Sequence, residues 1–165
     1  MDKAERFTRL PAELAFDPLD DTEKYGRALP GYMKRFGELY AAIYERFGEE
    51  GLELIREVSH EYGTRIAKNV QKKRDLKGVA EVGKYVLKVF DMVSDDWTVT
   101  ELTEDRLVIS VSRCPYPLTS EEVCKAHTCM EGALVSTLDP ELEHHVGQCI
   151  PGGDPICEHI IRRRK

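Results

Sequence analysis

Trp97-Thr-Val-Thr-Glu-Leu-Thr-Glu-Asp-Arg-Leu-Val-Ile-Ser-Val111 holds two alternating segments on either side of a polar triplet. Trp97 and Val99 in the first, and Leu107, Ile109 and Val111 in the second, recur at every second position, the period of a strand with one buried face. Thr103-Glu-Asp105 has the length and polarity of a hairpin loop. The middle of the chain is therefore a β-hairpin, and the segments around it read as the layer that covers it.

Upstream the period changes to that of helices. From Gly31, Phe36, Leu39, Tyr40, Ile43 and Phe47 recur at three- and four-residue steps, and Gly48 stands where a C-cap glycine belongs. After the Gly48–Gly51 break, Leu52, Ile55, Val58, Ser59, Tyr62 and Ile66 predict the buried face of a second helix, with Gly63 inside it as a point of close packing. Lys72–Asp75 interrupts the pattern. A third helix is expected from about Leu76 to Val93, with Val79, Val82, Val86, Val89 and Phe90 as its stripe. Residues 1–30, punctuated by Pro11, Pro18 and Pro30, read as an irregular N-terminal arm, with residues 31–165 as a single domain.

Downstream, Thr119-Ser-Glu-Glu122 carries a capping-box signature, so a helix is expected from there to about Leu138. Leu142–Cys149 and Ile156–Arg162 then form a second hairpin around Pro151-Gly-Gly-Asp154. Three helices, hairpin, helix, hairpin gives an α+β fold: helices packed on a mainly antiparallel sheet, ending in a cysteine-bearing β-hairpin.

The chain has 165 residues and five cysteines, Cys114, Cys124, Cys129, Cys149 and Cys157, with none before Cys114. A chain of this length can bury a real core, so disulfides are not needed for folding. The charged start and the lack of a long apolar run predict no signal peptide, no membrane span and a cytoplasmic setting, where clustered cysteines are metal or redox groups more often than disulfides. The net charge of −6 argues against a nucleic-acid partner.

The helix of residues 120–138 would run roughly 27 Å, and the strand that follows would return over a similar distance. That brings Cys149 back beside Cys124, with Cys114 just before the helix and Cys157 across the turn. Cys129 lies roughly 140° around the helix from Cys124 and is the odd one out. His127 and His145 are further candidate ligands. Zinc is the first expectation for this set, a 4Fe–4S cluster the alternative.

The ending Cys149-Ile-Pro-Gly-Gly-Asp-Pro-Ile-Cys157-Glu-His-Ile-Ile161 resembles the 4-vinyl-reductase-like domains. These include the ligand-binding domains of phenol sensors, and they are related to the aminothiazoline-carboxylate hydrolase-like family. Phe47–Ile55 through Tyr62-Gly63 resembles the early helical region of these proteins. The resemblance implies zinc held by Cys149, Cys157 and the helix cysteine Cys124, beside a pocket for a small hydrophobic or aromatic ligand. The family's glutamate ligand falls near Val146, so Cys114, Cys129 or His145 would have to replace it. It also implies a homodimer, expected through a helical face of the first half, and the apolar residues of the arm predict that it adds contacts.

Aromatic residues of the helices and first strand, Tyr62, Tyr85 and Trp97 foremost, with Tyr40 and Tyr44, are the candidate pocket lining. Three functions compete: a sensor-like small-molecule-binding domain with a cysteine-ligated metal, an iron–sulfur redox protein, and a hydrolase-like enzyme. In the last, His127, His145 or Glu131 would act as acid–base groups, or a spare cysteine as nucleophile.

Overall fold

The computed structural model describes residues 19–94, 96–118 and 120–165. Helices α1 (Asp21–Phe47), α2 (Glu49–Gln71) and α3 (Gly78–Asp91) precede strands β1 (Trp97–Leu102) and β2 (Arg106–Val111). Helices α4 (Glu121–His127) and α5 (Cys129–Leu138), strand β3 (Leu142–Val146), a 3-10 turn (Ile150–Gly152) and strand β4 (Cys157–Arg163) complete the chain. Residues 33–165 form one unit, and the turns of α1 up to Tyr32 belong to another.

Helix α1 begins ten residues before the expected start. Its signal is Asp20-Asp-Thr-Glu23: the Glu23 amide donates to Asp20 Oδ1 at 2.8 Å, and the Asp20 amide to Glu23 Oε2 at 3.4 Å. This is a reciprocal capping box. Pro30 lies inside the helix at an exposed position. A proline is an expected helix boundary, but the cap upstream and the apolar stripe downstream carry the helix through it. Residues 1–18 of the expected arm lie outside the described residues.

The strands form one antiparallel sheet in the order β1-β2-β4-β3, so the last strand enters the centre. The fold is α+β, and β3–β4 is the expected C-terminal hairpin. Leu107, Ile109, Val111, Cys157 and Ile161 alternate onto the face that packs on Val79, Val82, Val86 and Phe90 of α3 and on Leu134, Val135 and Leu138 of α5. The opposite face carries the ion pairs Arg106–Glu101 and Arg162–Glu143, the latter at 2.6 Å.

A second cluster joins Tyr40 of α1, Leu52 and Ile55 of α2, and Val123 and Ala126 of α4. Helix α2 reaches α5 through Gly63, where an added Cβ would fall 2.1 Å from the Met130 carbonyl oxygen. Four residues expected in the buried stripes are instead exposed: Leu39, Phe47, Val58 and Tyr62. The stripe of α2 turns onto Leu52, Ile55, Ser59, Gly63 and Ala67 because small residues there let α5 approach closely. Gly48 lies between α1 and α2 at φ 58° and ψ −131°, a positive-φ conformation that glycine adopts without strain but not the left-handed helical one of an ordinary C-cap glycine.

Candidate functional site

The helix expected over 120–138 is broken at Thr128. Its start is as expected in kind: Ser120 caps α4, its hydroxyl accepting from the Val123 amide at 3.2 Å. The Thr128 amide still donates to the Cys124 carbonyl at 2.9 Å, while the Thr128 hydroxyl donates to the Lys125 carbonyl. That local bond competes with helix continuation. Cys124 and His127 on one side of the break and Glu131 on the other are spaced three and four residues apart, and all three face inward.

They open onto a cavity of about 70 Å³. Phe90, Val93, Trp97 and Val111 form its apolar floor, Pro115, Tyr116 and Leu118 a second wall, and Cys114, Cys124 and Cys157 a third. His127, Glu131 and His159 are its titratable polar members, with Ser94 and Thr128 as neutral ones. No lysine or arginine is among its described lining residues.

His127 is 5% exposed, and neither ring nitrogen has a hydrogen-bond partner. Aromatic rings surround it: the Tyr116 ring lies 4.5 Å away, Phe36 5.7 Å and Tyr40 5.8 Å. Burial lowers its pKa to about 4. Glu131 is 6% exposed, and its Oε2 has no partner. Burial raises its pKa to about 7, against the opposing pull of its own backbone N–H. Tyr116 and Tyr40 are also raised, first by burial and then in part by the Glu131 charge. Beyond the cavity, His159 Nδ1 meets His144 Nε2 at 3.1 Å. Burial, and then His127, lower His159 to about 4.

The thiols gather as the topology predicted. Cys124 and Cys157 each lie beside Cys149, and Cys114 feels both Cys157 and Cys149. The turn between β3 and β4 fixes two of them. The Cys149 amide donates to Asp154 Oδ2 at 2.7 Å, and the Ile150 amide to Cys157 Sγ at 3.2 Å. Gly153 (φ 101°) supplies the left-handed residue this turn requires. Burial raises the Cys114 pKa to about 11 and also raises Cys124 and Cys157, with the neighbouring cysteines adding to the effect. These thiols are protonated at neutral pH and are poor nucleophiles.

Cys129 does not join them. Its Sγ donates to the Lys125 carbonyl at 3.4 Å, and its charged neighbours are Arg56, Glu131 and Glu53. Among the described residues, no three His, Cys, Asp or Glu side chains are grouped as metal ligands. The expected five-cysteine set thus reduces to four neighbouring thiols that do not form a ready ligand shell. His145 sits on the outer side of β3 in an open groove with His144 and Glu143, apart from the cavity.

Of the expected pocket aromatics, Trp97 lines the cavity. Tyr62 is 47% exposed and lies against Arg65, and Tyr85 packs on the main core. Tyr40, also expected there, packs with Phe36 around His127 and is not among the lining residues, whereas Tyr116, which is, carries no signal in the sequence pattern. The legible signal was the spacing Cys124, His127, Glu131, which places three chemically capable side chains on one helical face.

No described helix is long and apolar enough to cross a membrane. A search of curated proteins finds no match. Among solved structures, the chain is similar to trafficking protein particle complex subunit 3 from Naegleria fowleri, a protein solved covalently bound to palmitic acid. The TM-score is 0.60 at 11% identity, with 85% of this chain and 97% of that one covered, a likeness of fold. The family model for L-2-amino-thiazoline-4-carboxylic acid hydrolase matches residues 32–161, the stretch that contains every element of the cavity and its thiol wall, and the chain belongs to that family.

Proposed function

We propose that this chain is a small-molecule-binding domain of hydrolase type, whose ligand occupies the cavity between the thiol wall and the Trp97 floor. The carrying observation is that Glu131 Oε2 and both nitrogens of His127 face an apolar enclosure without partners. Buried polar groups are normally paired, and those left open await a ligand or a catalytic task. In hydrolysis, the Glu131 carboxylate would take a proton from water as the water oxygen bonds to an electrophilic carbon. The same proton would then pass to the leaving group. A carboxyl that titrates near neutrality suits both halves of that exchange. The resemblance of Cys149–Cys157 to 4-vinyl-reductase-like ligand-binding domains supports the same placement of the ligand.

The cavity is far smaller than the roughly 300–1,000 Å³ of pockets for drug-sized ligands. It suits a small molecule or one small end of a larger one, and a palmitoyl chain exceeds it. Xenon tests the cavity directly, since apolar cavities take it up. Under xenon pressure, the NMR signals of Trp97 and Val111 should shift and saturate, and Cys124→Phe should abolish the response. Unsaturable shifts spread over the surface would reject the reading.

The thiol wall carries a second reading. Four thiols match the donors of zinc or of a 4Fe–4S cluster in number and softness, and Cys114, Cys124, Cys149 and Cys157 would hold it. Bound metal would supply a structural clamp on the last hairpin. Stoichiometric zinc or iron is expected in anaerobically purified protein, with loss of the metal and a lower Tm in Cys149→Ala and Cys157→Ala. Metal-free wild type with an unchanged Tm on metal addition would reject it.

For assembly, the exposed stripe Leu54, Val58 and Tyr62, at four-residue steps along α2, supports a homodimer through the helical half. Light scattering should give twice the chain mass, and Val58→Glu should return a monomer. A wild-type monomer at tens of micromolar would refute this.

A further inference from the structure

The family is named for hydrolysis of a carboxylic acid. An anion taken into an apolar enclosure needs a cation or several donors aimed at it. Here the described lining has no lysine or arginine. Its sole acidic member, Glu131, presents an unpaired oxygen to the cavity from a side chain that is 94% buried, being 6% exposed. Cys114, Cys124 and Cys157 offer only weak S–H donors and the Thr128 hydroxyl already donates to the Lys125 carbonyl, so the neutral donors left are the Ser94 and Tyr116 hydroxyls and the ring N–H groups of His127 and His159, none of which carries a fixed positive charge. A ligand carboxylate would thus meet a carboxyl group with no counter-charge nearby. A ligand N–H would meet a free acceptor.

We propose that the cavity selects against carboxylates and takes the uncharged or cationic end of an N–H-bearing molecule, of the amide or amidine class, which donates to Glu131 Oε2. His127, held edge-on by Tyr116, flanks the same end and offers one donor and one acceptor nitrogen. At about 70 Å³ the space is about half that of an apolar cavity of roughly 150 Å³ that takes up benzene. It therefore fits a planar head of a few heavy atoms, with apolar substituents directed along Phe90, Val93 and Trp97. The inference rests on the cavity reading above and adds the charge and hydrogen-bonding class of what enters it.

Acetamidinium, acetamide and acetate share one shape and differ in charge and donors, so they separate the classes. Trp97 is the single tryptophan of the chain and lines the cavity, so its fluorescence reports occupancy in the full-length protein. Acetamidinium and acetamide should bind saturably in the millimolar range, the affinity that so few atoms supply. Acetate should bind about tenfold more weakly or not at all. Glu131→Gln should weaken acetamidinium about tenfold, as expected for losing a hydrogen bond to a charged group, and spare acetamide, whose N–H can still donate to the new amide oxygen.

Acetate binding as well as acetamidinium on the wild type overturns the proposal without recourse to any variant. So does the failure of all three probes, an unchanged acetamidinium affinity in a folded Glu131→Gln, or turnover of L-2-amino-thiazoline-4-carboxylic acid that Glu131→Gln abolishes. Xenon separates the two readings. Xenon uptake with no probe binding leaves the cavity reading standing and removes this one, whereas no uptake removes both.

Discussion

Lowering the pH from 7 to 4 is expected to destabilise the protein, and His127→Phe is expected to remove about 3 kcal/mol of that loss. The His127 pKa falls from 6.5 in the unfolded chain to about 4 in the folded one, because burial penalises its charge. Between those values the unfolded state binds more protons, so stability rises with pH through this window and is lost on acidification. About 2.5 units at 1.36 kcal/mol each gives the magnitude. His159 acts in the same direction, and so does His144, whose pKa burial and His159 lower well below the ordinary value.

Glu131 acts in the opposite direction. Its folded pKa of about 7 exceeds the ordinary 4.5, so the folded state binds the extra proton between these values, and stability falls as pH rises through them. Glu131→Gln should therefore gain about 3 kcal/mol on the wild type between pH 4.5 and pH 8. Urea unfolding of both variants across this range checks the two opposed slopes. Parallel curves for wild type and His127→Phe would show that His127 is not shielded as described.

Gly63→Ala is expected to destabilise by about 2–3 kcal/mol even though alanine is the better helix former. An added Cβ would fall 2.1 Å from the Met130 carbonyl oxygen, and a backbone atom has no rotamer by which to retreat. Helices α2 and α5 must then separate, which moves Glu131, the next residue, away from the cavity. Gly132→Ala is the control. It lies in α5 with nothing within 4 Å of the added carbon, so the helix-propensity gain alone should appear. A Tm drop of about 5–10 °C for Gly63→Ala is the expected reading for a chain of this size. An unchanged or raised Tm would mean that the two helices do not pack through this glycine.

The alternation of Trp97–Val111 and the Cys149–Cys157 turn were legible because strand period and turn chemistry are local properties. The return of Cys149 to Cys124 was legible because helix and strand rises fix how far each segment travels. The start of α1 was missed because Pro30 is a strong local signal, and only the Asp20–Glu23 cap reveals the helix beyond it. Leu39, Phe47, Val58 and Tyr62 were misplaced because residues three and four apart fit two overlapping faces. Which face is buried depends on the small residues that the neighbouring helix can approach.

By itself, the sequence determined the order of elements, the α+β class and the meeting of four cysteines. Each follows from periodicity, turn residues and segment length. Only the tertiary structure decided that Cys129 stands apart, that Trp97 and not Tyr62 or Tyr85 meets the cavity, and that His127 and Glu131 are buried without partners. Burial and pairing are set by what lies opposite a side chain. For His127 and Glu131 that means Tyr116 and the packing of α2 on α5, contacts between segments distant in sequence whose approach no local pattern encodes.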